Sequence, residues 1–216
     1  FSIELAEKST TRLGERDPHT GELTSIAMNR AFSTFQRFKD LSEIYKVESL
    51  IIAATSAVRE APNGKNFIAE IKKKIGLDVE LISGAEEARL IYLGVLSGMQ
   101  FGNQPHLVLD IGGGSTELIL ADSSEARALT STKIGAVRLQ REFIKKDPIS
   151  SQTELFLRSF IRGSMESAID KVSKRIEVGE IPVLVATSGT AMAIGSLISN
   201  KENHMQTKLQ GYKITK

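Results

Sequence analysis

The sequence predicts an α/β fold arranged as two lobes, and three observations carry that reading. Short apolar runs suited to buried strands alternate with stretches whose apolar residues recur at helical spacing. Two of these runs, Leu50-Ile-Ile-Ala-Ala-Thr-Ser56 and Val183-Leu-Val-Ala-Thr-Ser188, end in the same Ala-Thr-Ser ahead of a helical stretch, as matching strands of two similar lobes would. A chance repeat is the plain alternative. Third, a glycine triplet at 112–114 stands between two apolar runs as the turn of a hairpin. The lobes are expected to divide near residue 90, with 1–90 a partial first lobe and 91–216 the second.

The elements follow in order. Residues 1–8 alternate like a strand, and Gly14 to Gly21, with Asp17-Pro18, reads as a turn-rich loop. Phe32, Phe35, Phe38, Leu41 and Tyr45 form one stripe, predicting a helix from Asn29 to Tyr45 packed on a sheet. Residues 49–54 predict a buried strand, 65–75 a helix stopped by Gly76, and 79–82 another strand. A helix over 86–96 presents Leu90, Ile91, Leu93 and Val95 as its apolar side. Residues 107–110 and 117–120 flank the glycines as strands, and 129–134 adds a third. A long helix over 151–177 carries Leu155, Ile161, Met165, Ile169, Val172 and Ile176, and a buried strand at 183–187 leads into a short helix over 190–198.

Composition excludes several classes. The chain has no cysteine, so disulfides and thiolate metal sites are out, and a cytoplasmic location is the default expectation. No apolar run reaches membrane-spanning length, and no export signal opens the sequence. A net charge of +2 is too small to argue for nucleic acid; Lys72-Lys73-Lys74 and Lys145-Lys146 read as solvated faces. His19, His106 and His204 have no metal-ligand spacing.

The candidate chemistry gathers around the glycines. Gly112, Gly113 and Gly114 allow positive φ and close approach of the backbone to a ligand, so their amides can converge on an anion, with phosphate the natural guest. A flexible hairpin is the plainer account. The spacing matches neither the P-loop nor the dinucleotide fingerprint. Asp110 ends a buried strand, where an ionised carboxylate needs a cleft, a cation or a donor; with Glu117 it is expected to bind Mg²⁺, which needs only one or two carboxylates beside substrate phosphates. Glu117 also reads as an ordinary exposed strand residue. Ser83-Gly-Ala-Glu-Glu-Ala-Arg89 is either a capped helix start or the source of a general base, with Arg89 meeting phosphate or an acid. Arg59, just past a strand end, suits phosphate recognition or is a surface arginine, and Ser188-Gly-Thr190 opens a helix whose amides attract anions.

Asp110-Ile-Gly-Gly-Gly-Ser-Thr-Glu117, Ala-Thr-Ser-Ala-Val-Arg-Glu at 54–60, Ser-Gly-Ala-Glu-Glu-Ala-Arg-Leu-Ile-Tyr at 83–92 and Ser-Gly-Thr at 188–190 occur in the order seen in one family. In them the chain resembles, nearly end to end, the exopolyphosphatase and guanosine pentaphosphate phosphatase family. The resemblance implies two RNase-H-like lobes around a cleft, as in the actin, heat-shock-chaperone and sugar-kinase superfamily. It also implies Mg²⁺-dependent hydrolysis of terminal phosphoanhydrides, of inorganic polyphosphate or of guanosine pentaphosphate (pppGpp). By motif, Glu87 resembles the catalytic base, with Glu86 as the reserve. Asp110 and Glu117 resemble the metal-linked acids, Glu117 also serving catalysis. Gly112, Gly113, Gly114 and Ser115 resemble a phosphate loop, Arg59 a phosphate-binding arginine, and Ser188, Gly189 and Thr190 a second-lobe loop facing the cleft. A homodimer of the full-length protein is implied by the family alone.

Two departures stand out. The family's opening Asp-x-Gly-Ser-Asn-Ser-like loop is not found in the sequence, nor are the carboxyl-terminal helical domains of longer members. The expectation is therefore a piece of an enzyme with impaired turnover. A non-catalytic nucleotide-dependent scaffold of the same fold is the reading from another class, and a small-molecule kinase would not be expected to carry the Glu-Glu-Ala-Arg stretch.

Overall fold

A computed structural model describes residues 4–99, 101–102, 104–201 and 209–213. The chain parts into two compact units, Phe1–Ile82 and Ser83–Lys216. The division falls ahead of the helix Gly84–Gly98 and not at residue 90, because that helix buries its inner face on the second unit's sheet and a boundary at 90 would cut through it. Glu87 therefore belongs to the second unit.

The first unit contains α1 (Ser25–Ile44), β1 (Ala53–Ala54), α2 (Ser56–Arg59), α3 (Gly64–Ile75) and β2 (Glu80–Leu81). Thr24 caps α1 by accepting the Ala27 amide at 3.2 Å, so the helix begins earlier than the phenylalanine stripe suggested. Phe67, Ile71 and Ile75, spaced four apart on α3, are buried against Leu23, Ala31 and Val58. The core of this unit is thus α1 against α3, where small Ala27 and Ala31 let the helices approach and Phe32 meets Phe67 at 5.3 Å between ring centroids. The sheet expected beneath α1 is only a two-residue parallel pair, Ala53 with Glu80 and Ala54 with Leu81. With no further strand beside β1 among the described residues, Leu50 and Ile51 stay exposed instead of forming the predicted buried run. Gly76, at φ 81°, ends α3 as expected. Of the strand expected over 1–8, residues 1–3 lie outside the described set. Residues 4–8 are irregular and lie along α1, where Arg37 donates to both Glu7 carboxylate oxygens at 2.6 Å.

The second unit contains α4 (Gly84–Gly98), β3 (His106–Ile111), β4 (Thr116–Ala121), β5 (Ala126–Thr132), α5 (Ala136–Phe143), α6 (Ser151–Ser173), β6 (Val183–Thr187) and α7 (Ser188–Lys201). Its sheet runs β5-β4-β3-β6. Three strands follow one another antiparallel, and β6 joins parallel to β3 after the α5–α6 crossover, which is the arrangement expected of an RNase-H-like lobe. Helices cover both faces. Ile119 and Ala121 meet Ala88 and Tyr92 of α4, whereas Leu118 and Leu120 meet Val172 of α6. Enclosure from both sides explains why every residue of β4 is buried.

Packing also rotates two predicted helix faces. On α4 the buried residues are Ala88 and Tyr92, supported by Ile91, Val95 and Leu96, while Leu90 and Leu93 are each 41% exposed. On α6, Met165 and Val172 pack, with Ile176 just past its end, but Leu155 and Ile169 face outward. The strand at 183–187 forms, but at the edge of the described sheet, so Val183 and Leu184 are exposed rather than buried. Among the described residues no helix is long and apolar enough to cross a membrane.

Candidate active site

Strand register assembles the polar residues. Asp110 on β3 stands opposite Glu117 on β4, Glu117 opposite Ser131 on β5, and Asp110 beside Thr187 on β6. One residue from each strand thus contributes to a row crossing the sheet. Because side chains alternate along a strand, Glu117 shares a face with Ile119 and Ala121, the face covered by α4. This is the face over which the first turn of α4 holds Glu86 and Glu87.

Glu117 is 1% exposed, which overturns its plainer reading as a surface strand residue. Its Oε1 accepts the Ser131 hydroxyl at 2.7 Å. Burial raises its pKa above the ordinary carboxylate value; the Ser131 and Ser115 hydroxyls oppose that shift, and the charges of Glu87 and Asp110 reinforce it. Asp110 Oδ2 accepts the Thr187 hydroxyl at 2.5 Å. The two neighbouring acids of α4 are thereby told apart. Glu86 is engaged by Arg89, at 2.8 and 2.6 Å, and this hydrogen-bonded pair lowers its pKa, whereas Glu87 is near enough to Glu117 for its charge to be felt there. Arg89 thus meets an acid, one of its two expected partners.

The glycine turn is held differently from the expectation. None of Gly112, Gly113 and Gly114 has positive φ. The requirement is close packing: a Cβ on Gly112 would lie 3.2 Å from the Ser115 carbonyl oxygen, and one on Gly113 would lie 3.4 Å from Val137. The turn leans on the start of α5, a segment the sequence reading passed over. Ala136 N–H donates to Gly112 O at 2.9 Å, Arg138 N–H to Gly113 O at 3.0 Å, and Arg138 Nε to Gly114 O at 3.0 Å. A Cβ on Gly135 would fall 2.5 Å from Gly113 backbone atoms, so a lone glycine ahead of a helix was the available signal.

In a trans peptide the carbonyl of one residue and the N–H of the next point in opposite directions. With the carbonyls of Gly112, Gly113 and Gly114 drawn to α5, the N–H groups of Gly113, Gly114 and Ser115 point away from it. None of these three donates to another backbone group among the described residues. They form a contiguous set of donors of the kind that receives an anion.

Ser188 and Thr190 donate their hydroxyls to Ile111 O at 2.8 and 2.9 Å, so these side chains fasten the β6–α7 junction to the end of β3. Ser188 does so at φ 76°, a conformation unfavourable for a serine, and Gly189 beside it meets nothing within 4 Å of an added Cβ. Arg59 stands in the first unit, where its Nη1 donates to Ile82 O at 2.8 Å.

The donor set can be tested against Mg²⁺. Among the described residues no group of three or more His, Cys, Asp or Glu side chains is disposed to hold a metal. Asp110 and Glu117 do suit a cation that keeps most of its waters, and a nearby divalent charge would compensate the buried carboxylate.

Comparison with known proteins points to one family. The profile of the Ppx/GppA phosphatase family matches residues 1–216. Exopolyphosphatase 1 of Mycobacterium leprae is 31% identical over 190 residues, 88% of this chain and 55% of its own length. The guanosine-5'-triphosphate,3'-diphosphate pyrophosphatase of Aliivibrio fischeri is 31% identical over 191 residues, 88% of this chain and 37% of its own length. This chain thus spans about a third to about half of these relatives. The crystal structure of an exopolyphosphatase from Cytophaga hutchinsonii superposes with a TM-score of 0.82 at 30% identity, over 93% of this chain and 63% of that one. The Aquifex aeolicus Ppx/GppA protein gives 0.69 at 29% identity, over 92% and 62%.

Proposed function

Because the chain belongs to the Ppx/GppA phosphatase family, we propose that it carries catalytic machinery for Mg²⁺-dependent hydrolysis of terminal phosphoanhydrides, with inorganic polyphosphate as substrate. The carrying observation is the pairing of Asp110 with the buried Glu117 across two strands, with the charge of Glu87 reaching Glu117, in the lobe that bears the outward-pointing amides of 113–115.

In this reading Glu87 is the catalytic base, taking a proton from a water whose oxygen attacks the terminal phosphorus while the bridging P–O bond breaks and the shortened polyphosphate leaves with the electron pair. Glu86 is unsuited because its carboxylate is committed to Arg89. Amides of the glycine turn donate to phosphoryl oxygens as negative charge shifts, and being already oriented they need no rearrangement. Asp110 and Glu117 would hold the metal, with Thr187 and Ser131 orienting them. Mg²⁺, when bound, supplies charge neutralisation on the anhydride oxygens. Arg59 is a further phosphate-binding candidate, its guanidinium suited to phosphate oxygens, and the lack of cysteine suits a cytoplasmic location.

Hydrolysis of pppGpp is the second reading, favoured by a relative of equal identity that is named for that substrate. Phosphate release from polyphosphate and from pppGpp, measured side by side with Mg²⁺, separates the two. Glu87→Gln is expected to lower kcat by about 10²–10⁴-fold while phosphate binding persists, and Glu86→Gln to leave most turnover. Undiminished turnover in E87Q would remove Glu87 from the role of base; indifference to polyphosphate would refute the preferred substrate.

A further inference from the structure

We propose that Arg138 is a positioning residue for the phosphate loop, acting through the Gly114 carbonyl. The proposal rests on reading 112–115 as the phosphate site. It starts from a run of four consecutive carbonyls, Ile111 to Gly114, every one engaged by a donor from elsewhere in the second unit. Ile111 O is held by the Ser188 and Thr190 hydroxyls, Gly112 O by the Ala136 amide, Gly113 O by the Arg138 amide and Gly114 O by Arg138 Nε.

The last of these differs in kind. The first three sets of donors sit at the junctions leading into α7 and α5, where backbone and short hydroxyl side chains are fixed by the helices themselves. Gly114 O depends on the end of a long side chain. The Gly114–Ser115 peptide turns about the ψ of a glycine, and the missing Cβ makes rotation of that plane inexpensive. Rotation would swing the Ser115 N–H away and present the Gly114 oxygen in its place, a partial negative charge where phosphate needs a donor. Arg138 opposes this rotation with a charge-assisted bond at 3.0 Å. Its guanidinium is in turn paired with Glu142 one helical turn along α5, at 3.7 Å. Arg138 thus orients the anion-binding amides from behind the loop.

The test compares wild type with Arg138→Met, which keeps an apolar stem but has no donor, and with Arg138→Lys, whose ammonium can reach the same carbonyl. Hydrogen exchange at the amides of 136 and 138, which donate to the carbonyls of Gly112 and Gly113, steady-state kinetics on polyphosphate with Mg²⁺, and thermal melting are measured on each. In R138M, exchange at 136 and 138 is expected to accelerate as the loop loosens and KM to rise, each by about tenfold, the scale of one lost bond from a charged donor. Its kcat should fall less than that, with R138K restoring most of the effect. Unchanged exchange at 136 and 138 with unchanged KM overturns the proposal, and so does exchange that accelerates uniformly across the sheet, the mark of a merely structural role. If the wild type hydrolyses neither polyphosphate nor pppGpp while R138M still accelerates exchange at 136 and 138 selectively, the proposed activity falls and the positioning role stands.

Discussion

Replacing Gly135 by Ala should damage the phosphate loop more than its mild chemistry suggests. Gly135 has φ −155° and ψ 160°, extended backbone that alanine adopts without strain, so the perturbation is purely one of space. The added Cβ would lie 2.5 Å from the Gly113 carbonyl carbon and oxygen and 2.6 Å from the Gly114 nitrogen. Comfortable carbon contacts begin near ~3.5 Å, so the strands of backbone must part by about 1 Å. These are main-chain atoms that cannot swing aside, and parting them stretches the Ala136-to-Gly112 and Arg138-to-Gly113 hydrogen bonds. Overpacking costs about 1–3 kcal/mol and each weakened bond up to about 1 kcal/mol, for a total of about 1–5 kcal/mol. In a chain of this size each kcal/mol lowers Tm by about 2–4 °C, so a fall of about 2–20 °C is expected in thermal unfolding. Where the fold survives, a displacement of about 1 Å in the loop should lower kcat/KM by about 100-fold. A G135A protein with unaltered Tm and kcat/KM would refute the argument that α5 braces the glycine turn.

Thr187→Val removes the hydroxyl that donates to Asp110 at nearly constant volume, and should raise the Mg²⁺ concentration for half-maximal phosphate release by about 10–100-fold. An unchanged Mg²⁺ titration would deny Thr187 its orienting role. Away from the site, the Ser124 hydroxyl and amide, then the Glu125 amide and Arg127, hold the Asp122 carboxyl well below the usual range. A carboxyl depressed by folding stabilises above its unfolded pKa of about 3.9 and loses that contribution as pH falls through and below it. Chemical denaturation of Asp122→Asn should accordingly show a flatter loss of stability below about pH 4 than wild type; parallel curves would contradict this.

Much of the candidate site's arrangement was legible because it is local. Asp110 and Glu117 bracket a short turn between two apolar runs, and antiparallel pairing then makes them neighbours across the ladder. The glycines declared a close approach, and the acid-rich turn before Ala88 declared a helix start. Apolar periodicity located most helices but misjudged their inner faces. A stripe of Leu90, Ile91, Leu93 and Val95 is equally helical on paper, but contact with Ile119 and Ala121 selects Ala88 and Tyr92. The short apolar runs were misjudged for a related reason, since whether 49–54 or 183–187 is buried depends on what lies beside it.

By itself the sequence determined which residue types could handle phosphate and magnesium, and that they would sit at strand ends and a helix start, since turn chemistry and hydrophobic period are encoded within a few residues. Only the tertiary structure decided that Ser131, Glu117, Asp110 and Thr187 form one row across four strands and that α4 covers the same face. It alone brought Gly135 and Arg138, at the start of α5, against the backbone of the glycine turn. Those outcomes follow from strand register and from contacts between segments remote in the chain, which no local pattern records.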